Sequence, residues 1–170
     1  EAIAEIAEYL ELLPRSYSEH TEAEKVAWLI QELRTRRPLI PAEISCSERT
    51  RETIETLRML KQLQQEFGLE ICHTYVISMT NDVSDVLEVM LLAKEAGIYD
   101  PATSSSSLRI VPLFETVDDL QRAPSVMSAL FELPFYRASL AGGHERDLAI
   151  PENNQSALLQ PTNLQEVMLG

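Results

Sequence analysis

The stretch CHTYVISMTNDVSDVLEVMLLAKEAG, residues 72–97, joined through a polar loop to LRIVPLF, residues 108–114, decides the fold. CHTYVISM is short, β-branched and mostly apolar without strict alternation, which is the pattern of a strand covered on both faces. Asn81 or Asp82 can cap a helix whose buried stripe is Val83, Val86, Leu87, Met90 and Leu91, and Gly97 is placed to end it. LRIVPLF reads as a second strand in which Pro112 is anomalous, because proline removes a ladder donor and is normally confined to edges or bulges. The connection from Met79 to Leu108 holds a whole helix and is too long for a hairpin. The two strands are therefore expected side by side and parallel, with a right-handed crossover.

Downstream, Thr116 and Asp119 offer a capping arrangement for a helical stretch reaching about Leu140, with a break at Pro124. LQEVMLG, residues 164–170, then supplies a third strand, so residues 71–170 read as β-α-β-α-β. Upstream, residues 1–70 read as helical. Ile3, Ile6, Ala7, Leu10 and Leu13 form one stripe that Pro14 closes, and Thr21 and Glu24 form a capping box before Val26, Leu29, Ile30 and Leu33, with Trp28 at the edge of that face. A third helix from about Ser47 to Phe67 places Ile54, Leu57, Leu60, Leu63 and Phe67 on one side, with Gly68 as its stop. The polar insertions YDPATSSSS, 99–107, and the segment 141–163 are expected to be mobile surface loops. The fold class that results is α/β, helix-rich, with about three parallel strands. The first helix lacks a capping residue before it and the last apolar run stops at Gly170, so both ends read as cuts within a larger domain.

With 14 basic against 27 acidic residues and a formal charge of -13, the chain repels phosphate backbones and anionic lipid surfaces. No nucleic acid and no membrane partner is expected. No apolar run approaches bilayer length, and EAIAEIAEYL carries acid where a secretion signal carries base. Cys46 and Cys72 lie apart with no CxxC pairing, the pattern of free thiols in a reducing, cytoplasmic compartment.

In parallel α/β architectures the chemistry gathers at the carboxyl ends of the strands, which here selects Met79, Glu115 and the end of VMLG. Glu115, the first polar residue after IVPLF, is the ionisable one, and its hard oxygens suit Mg2+ or Mn2+. A carboxylate stabilised by the following helix N-terminus explains the position equally well, and the spacing leaves both open. Asp118 and Asp119 read as first-turn acids of that helix. His20, His73 and His144 share no motif, and no Gly-rich phosphate loop, nucleophile elbow or HExxH is present. Arg34, Arg36 and Arg37 form a short basic cluster, either a solvated helix end or an inter-subunit ion pair.

YVISMTNDVSDVLEVMLLAKEAGI, IVPLFETVDDLQRAPSVM and LQEVMLG, with TRRPLIP before them, resemble consecutive barrel segments of phosphoenolpyruvate carboxylase. The resemblance implies a partial (β/α) barrel from an enzyme that joins bicarbonate to phosphoenolpyruvate, giving oxaloacetate and phosphate through carboxyphosphate and the enolate of pyruvate. It implies that Glu115 binds the divalent cation, that Leu113 and Met168 form an apolar wall beside the substrate methylene carbon, and that Glu32 and Arg37 form an ion pair at a subunit contact of a homo-oligomer, a dimer of dimers. The family's Y-S-D, T-A-H-P-T and D-I-R-Q-E-S motifs and its glycine–arginine loop are absent from these 170 residues. The expectation that follows is a chain with no catalytic residue of its own, metal-free and inactive in isolation. Two other readings stay open: a stand-alone helical interaction module built on residues 1–70, or part of another metal-dependent, enolate-forming barrel lyase.

Overall fold

A computed structural model of the chain describes residues 1–41, 43–142 and 164–170. The elements run α1 (Ala2–Tyr9), α2 (Glu22–Arg34), α3 (Glu48–Phe67), β1 (Thr74–Ile77), α4 (Val83–Glu95), β2 (Tyr99–Asp100), β3 (Ser105–Ser106), β4 (Arg109–Phe114), α5 (Val117–Glu132), α6 (Pro134–Leu140) and β5 (Met168–Leu169). Short 3-10 turns stand at Tyr17–Glu19 and Leu69–Ile71.

The three-stranded sheet has the order β1-β4-β5 and is parallel throughout. Thr74 pairs with Arg109 and Ile77 with Pro112, while Leu113 pairs with Met168. This is the expected β-α-β-α-β sequence of strands and helices. Pro112 lies in the central strand, and the ladder shows why it is tolerated. The Arg109 N–H donates toward β1, to His73 O at 2.7 Å, and the Phe114 carbonyl accepts from Gly170 N on the β5 side. Alternation then aims the Pro112 nitrogen at the β5 side, where pairing begins only at Leu113. The Gln165 amide closes that gap by donating to Ile110 O at 2.9 Å.

One apolar core joins the helices to one face of the sheet. Ile3, Ile6, Leu29, Leu33, Leu57, Val86, Leu87, Leu91, Phe114, Leu130 and Phe135 are at most 1% exposed, and α4 lies at its centre. α4 starts where Asp82 and Asp85 form a capping box, and Gly97 follows its end with φ +72. Tyr17 bridges the amino-terminal segment to this helix: its hydroxyl donates to Glu88 Oε1 at 2.8 Å, and its ring meets Trp28 edge-on at 5.6 Å. Trp28 therefore sits at the margin of the α2 face, as its spacing implied.

Several expectations are corrected. α1 ends at Tyr9 rather than running to Pro14, because the chain turns at Glu11 with φ +50. α3 does not bury Phe67, which is 66% exposed; the buried position is Gln64, whose amide donates to Cys72 O and Ser107 O and accepts from Ser107 Oγ. Satisfied polar groups can occupy a core position that hydrophobic periodicity assigns to an apolar one. β1 is not covered on both faces, since Val76 is 43% exposed on the face away from the helices. The helix break falls at Leu133, between α5 and α6, and Pro124 lies inside α5 on an exposed side, where water can serve the carbonyl that proline leaves unpaired. The serine-rich loop is not free chain: β2 and β3 pair antiparallel, Asp100 accepts from Ala102 N and Thr103 Oγ1, and Tyr99 and Ser104 are buried. Hydroxyl-to-carboxylate bonds there supply the order that apolar packing does not. The expected insertion at 141–163 and His144 lie largely or wholly outside the described residues.

Candidate functional site at the strand exits

The carboxyl ends of β1, β4 and β5 lie side by side and carry Met79, Glu115 and Gly170. In β4 Ile110, Val111, Pro112 and Phe114 are buried and Leu113 half-buried, and strand alternation puts Val111, Leu113 and Glu115 on the face opposite to Ile110, Pro112 and Phe114. Leu113 is half-buried and its register partner Met168 is 44% exposed. Parallel partners share a face, so these two form a continuous apolar strip one step before Glu115.

Gly170 lies directly against Glu115. Its N–H donates to Phe114 O at 3.1 Å, and a Cβ built on it would stand 3.2 Å from Glu115 Cα and 3.3 Å from Glu115 Cγ. Glycine at this point lets the neighbouring strand pass close beneath the glutamate stem. The carboxylate itself is exposed. Among the described residues no group of three or more His, Cys, Asp or Glu side chains could hold a metal ion; Glu115 presents a single carboxylate there.

The turn after Glu115 is fixed by α5. Thr116 Oγ1 accepts from Asp119 N at 3.1 Å, and Asp119 Oδ2 accepts from Thr116 N at 3.0 Å, a complete capping box. Asp119 is 7% exposed, and Arg122 Nη2 donates to its Oδ1 at 2.5 Å. The Thr116 backbone N–H, then the Thr116 hydroxyl, with the Glu115 backbone and Arg122 adding to them, hold the Asp119 carboxyl below its ordinary range. Asp118 stands beside it in the same first turn and is exposed.

The other sequence candidates lie elsewhere. Glu32, 6% exposed, faces Arg37 across 3.7 Å at the end of α2, and the Arg37 side chain is 65% exposed. Beneath them the buried Lys94 donates from Nζ to Glu32 O at 2.9 Å and to Arg37 O at 3.3 Å, and pairs with Glu95 at 3.3 Å. Periodicity places Lys94 on no polar face, and sequence reasoning missed it. His20 bonds Ser16 O beside α2, and His73 precedes β1 at the opposite end of the sheet from Glu115. The structure brings together Leu113, Glu115 and Met168, and separates them from Glu32, Arg37, His20 and His73. The contribution of Gly170 was also missed, although a glycine ending a strand is a signal of close backbone approach.

No helix among the described residues is long and apolar enough to cross a membrane. Comparison with known proteins gives one consistent result. The chain is 64% identical over its whole length to a phosphoenolpyruvate carboxylase of Synechocystis sp., 58% to one of Synechococcus sp. and 53% to one of Trichormus variabilis. It spans only 14% to 17% of the length of these relatives. The family model for phosphoenolpyruvate carboxylase matches residues 1–170, and the chain therefore belongs to the phosphoenolpyruvate carboxylase family.

Proposed function

We propose that these residues form part of the catalytic barrel of a carboxy-lyase that joins bicarbonate to phosphoenolpyruvate, yielding oxaloacetate and phosphate. Family membership supports the chemistry. The observation that carries the site is the juxtaposition of the exposed Glu115 carboxylate with the Leu113–Met168 strip on one sheet face. Glu115 offers hard oxygen donors to Mg2+ or Mn2+, and as one carboxylate it needs further ligands from outside the described residues. When bound, the cation would stabilise negative charge on enolate and phosphoryl oxygens. Leu113 and Met168 would line the substrate's methylene side and keep water from protonating the enolate before carbon dioxide reaches it. The 170-residue chain by itself is proposed to be metal-free and inactive, and the full-length protein to be cytoplasmic.

The metal assignment is tested by Glu115→Gln in the full-length protein, which keeps the shape and removes one charge. A higher Mg2+ or Mn2+ requirement with lower turnover is expected, and the fold should be retained. Normal metal dependence of oxaloacetate formation in this variant would remove the assignment. A second reading concerns Glu32 and Arg37. The exposed guanidinium and the Glu32 Oε2 that receives no hydrogen bond suit an ion pair completed at a subunit contact of a homo-oligomer.

A further inference from the structure

The Glu115 turn is tied to the neighbouring strand exit by a chain of side chains. Arg122 Nη2, which donates to Asp119 Oδ1, also donates to Asn81 Oδ1 at 3.2 Å. Asn81 is itself held where it stands. Its Nδ2 donates to Met79 O at 2.8 Å, and its backbone N–H donates to Asp85 Oδ2 at 2.7 Å. Met79 has φ +55, a conformation that a side chain-bearing residue seldom adopts without local fixing. The exits of β1 and β4 are thus joined in sequence through Met79, Asn81, Arg122, Asp119 and the Thr116 backbone.

Two further features separate this tie from an ordinary helix cap. The capping box of α2 ends in Glu24, which pairs with the exposed Arg15 on its own side of the molecule, whereas the α5 box is linked through Arg122 to a different βα unit. The Asp119 oxygens are also committed, Oδ2 to Thr116 N and Oδ1 to Arg122, so this carboxylate is directed at the turn and away from a metal-ligand role. A first-turn acid needed only for the helix dipole requires neither burial nor a cation bridging to the next strand.

We propose that Asn81, Arg122 and Asp119 are positioning residues that fix the Glu115 turn against the exit of β1, and so set where the Glu115 carboxylate stands. The inference rests on the reading of Glu115 as a metal ligand. Groups that orient a ligand from behind are typically worth about 10- to 100-fold in metal affinity when removed. Asp119 and Arg122 would act through the backbone at residues 115 and 116, without touching metal or substrate.

The test is a Mn2+ titration of the resting full-length protein, following free Mn2+ by electron paramagnetic resonance, with thermal unfolding of each variant alongside. Glu115→Gln is the control for the ligand reading. Arg122→Met removes the bridge and leaves the Thr116–Asp119 box in place. Asn81→Ala breaks the same bridge from the far side with less risk to the fold, and Arg122→Lys restores the charge without the forked geometry. Arg122→Met and Asn81→Ala are each expected to weaken Mn2+ binding by about 10-fold with little change in unfolding temperature, the double variant to be no weaker than the worse single one, and Arg122→Lys to recover part of the loss. If Glu115→Gln weakens binding while Asn81→Ala and Arg122→Met do not, the positioning inference is overturned and the ligand reading stands. If Glu115→Gln leaves Mn2+ affinity unchanged, the ligand reading falls and this inference falls with it.

Discussion

Replacing Tyr17 by Phe isolates one buried hydrogen bond at the centre of the fold. Tyr17 is 4% exposed, its O–H donates to Glu88 Oε1 at 2.8 Å, and its ring touches Trp28 and lies 5.2 Å from Lys25 Nζ. Phenylalanine keeps the ring, the edge contact and most of the cation–π attraction, and deletes the donor alone. A hydrogen bond to a charged acceptor contributes about 1.5–3 kcal/mol, against about 0.5–1.5 kcal/mol for a neutral pair. Burial pushes the Glu88 carboxyl above its ordinary value, with Asp85 adding to the rise, while the Tyr17 hydroxyl and Lys25 act in the opposite direction.

The pH dependence has a definite sign. With its folded pKa raised above the unfolded one, Glu88 holds its proton more tightly in the native state, so its contribution to stability falls as pH rises from the unfolded pKa through the folded one. Losing the Tyr17 donor raises the folded pKa further. The Tyr17→Phe deficit should therefore be of neutral-bond size, about 0.5–1.5 kcal/mol, at acid pH, and grow to about 1.5–3 kcal/mol at neutral pH. Urea unfolding of the chain between pH 4 and 8, followed by the fluorescence of Trp28, the single tryptophan, reads this directly. Glu88→Gln should flatten the pH dependence of the difference. A deficit equal at all pH values, or none at pH 7, refutes the reasoning.

Gly170→Ala in the full-length protein places a methyl group 3.2 Å from Glu115 Cα, too close for ordinary contact, and should displace the glutamate and weaken Mn2+ binding, whereas affinity unchanged within twofold would show that the stem yields freely. The apolar side chains Val76, Met79, Met168 and Leu169 stand exposed on the sheet face and strand exits of the chain, at 43%, 75%, 44% and 66%. The 170-residue chain should therefore associate as its concentration rises, and sedimentation showing one monomeric species at every concentration would count against this.

Much of the architecture was legible because the signals are local. Thr116 and Asp119, Thr21 and Glu24, and the Asp82 start of α4 each encode a helix start within four residues, and each start stands where the spacing placed it. The parallel pairing of β1 with β4 followed from connection length alone. What escaped depends on partners distant in the chain. Gln64 takes a core position because Cys72 and Ser107 present polar atoms to it, and Lys94 is buried because carbonyls of residues 32 and 37 surround its Nζ. Periodicity gives the face on which each stands but not the distant partners that satisfy it. Glu115 was legible as the first polar residue beyond an apolar strand, but metal and helix-dipole roles could not be separated by spacing.

The geometry gives the helix-terminus role to Asp119. Asp119, three positions into the capping motif, supplies the negative charge that the α5 terminus calls for, and it is buried with both oxygens engaged. Glu115 is therefore not needed to cap the helix, and its carboxylate stands exposed over a strand exit opened by Gly170. Among the described residues this carboxylate carries no capping duty and stands beside the apolar Leu113–Met168 strip, as the proposed binding role requires. On the proposed reading the sequence ETVDD separates the two roles: the acid proposed to bind precedes the cap, and the acid that caps follows it by three.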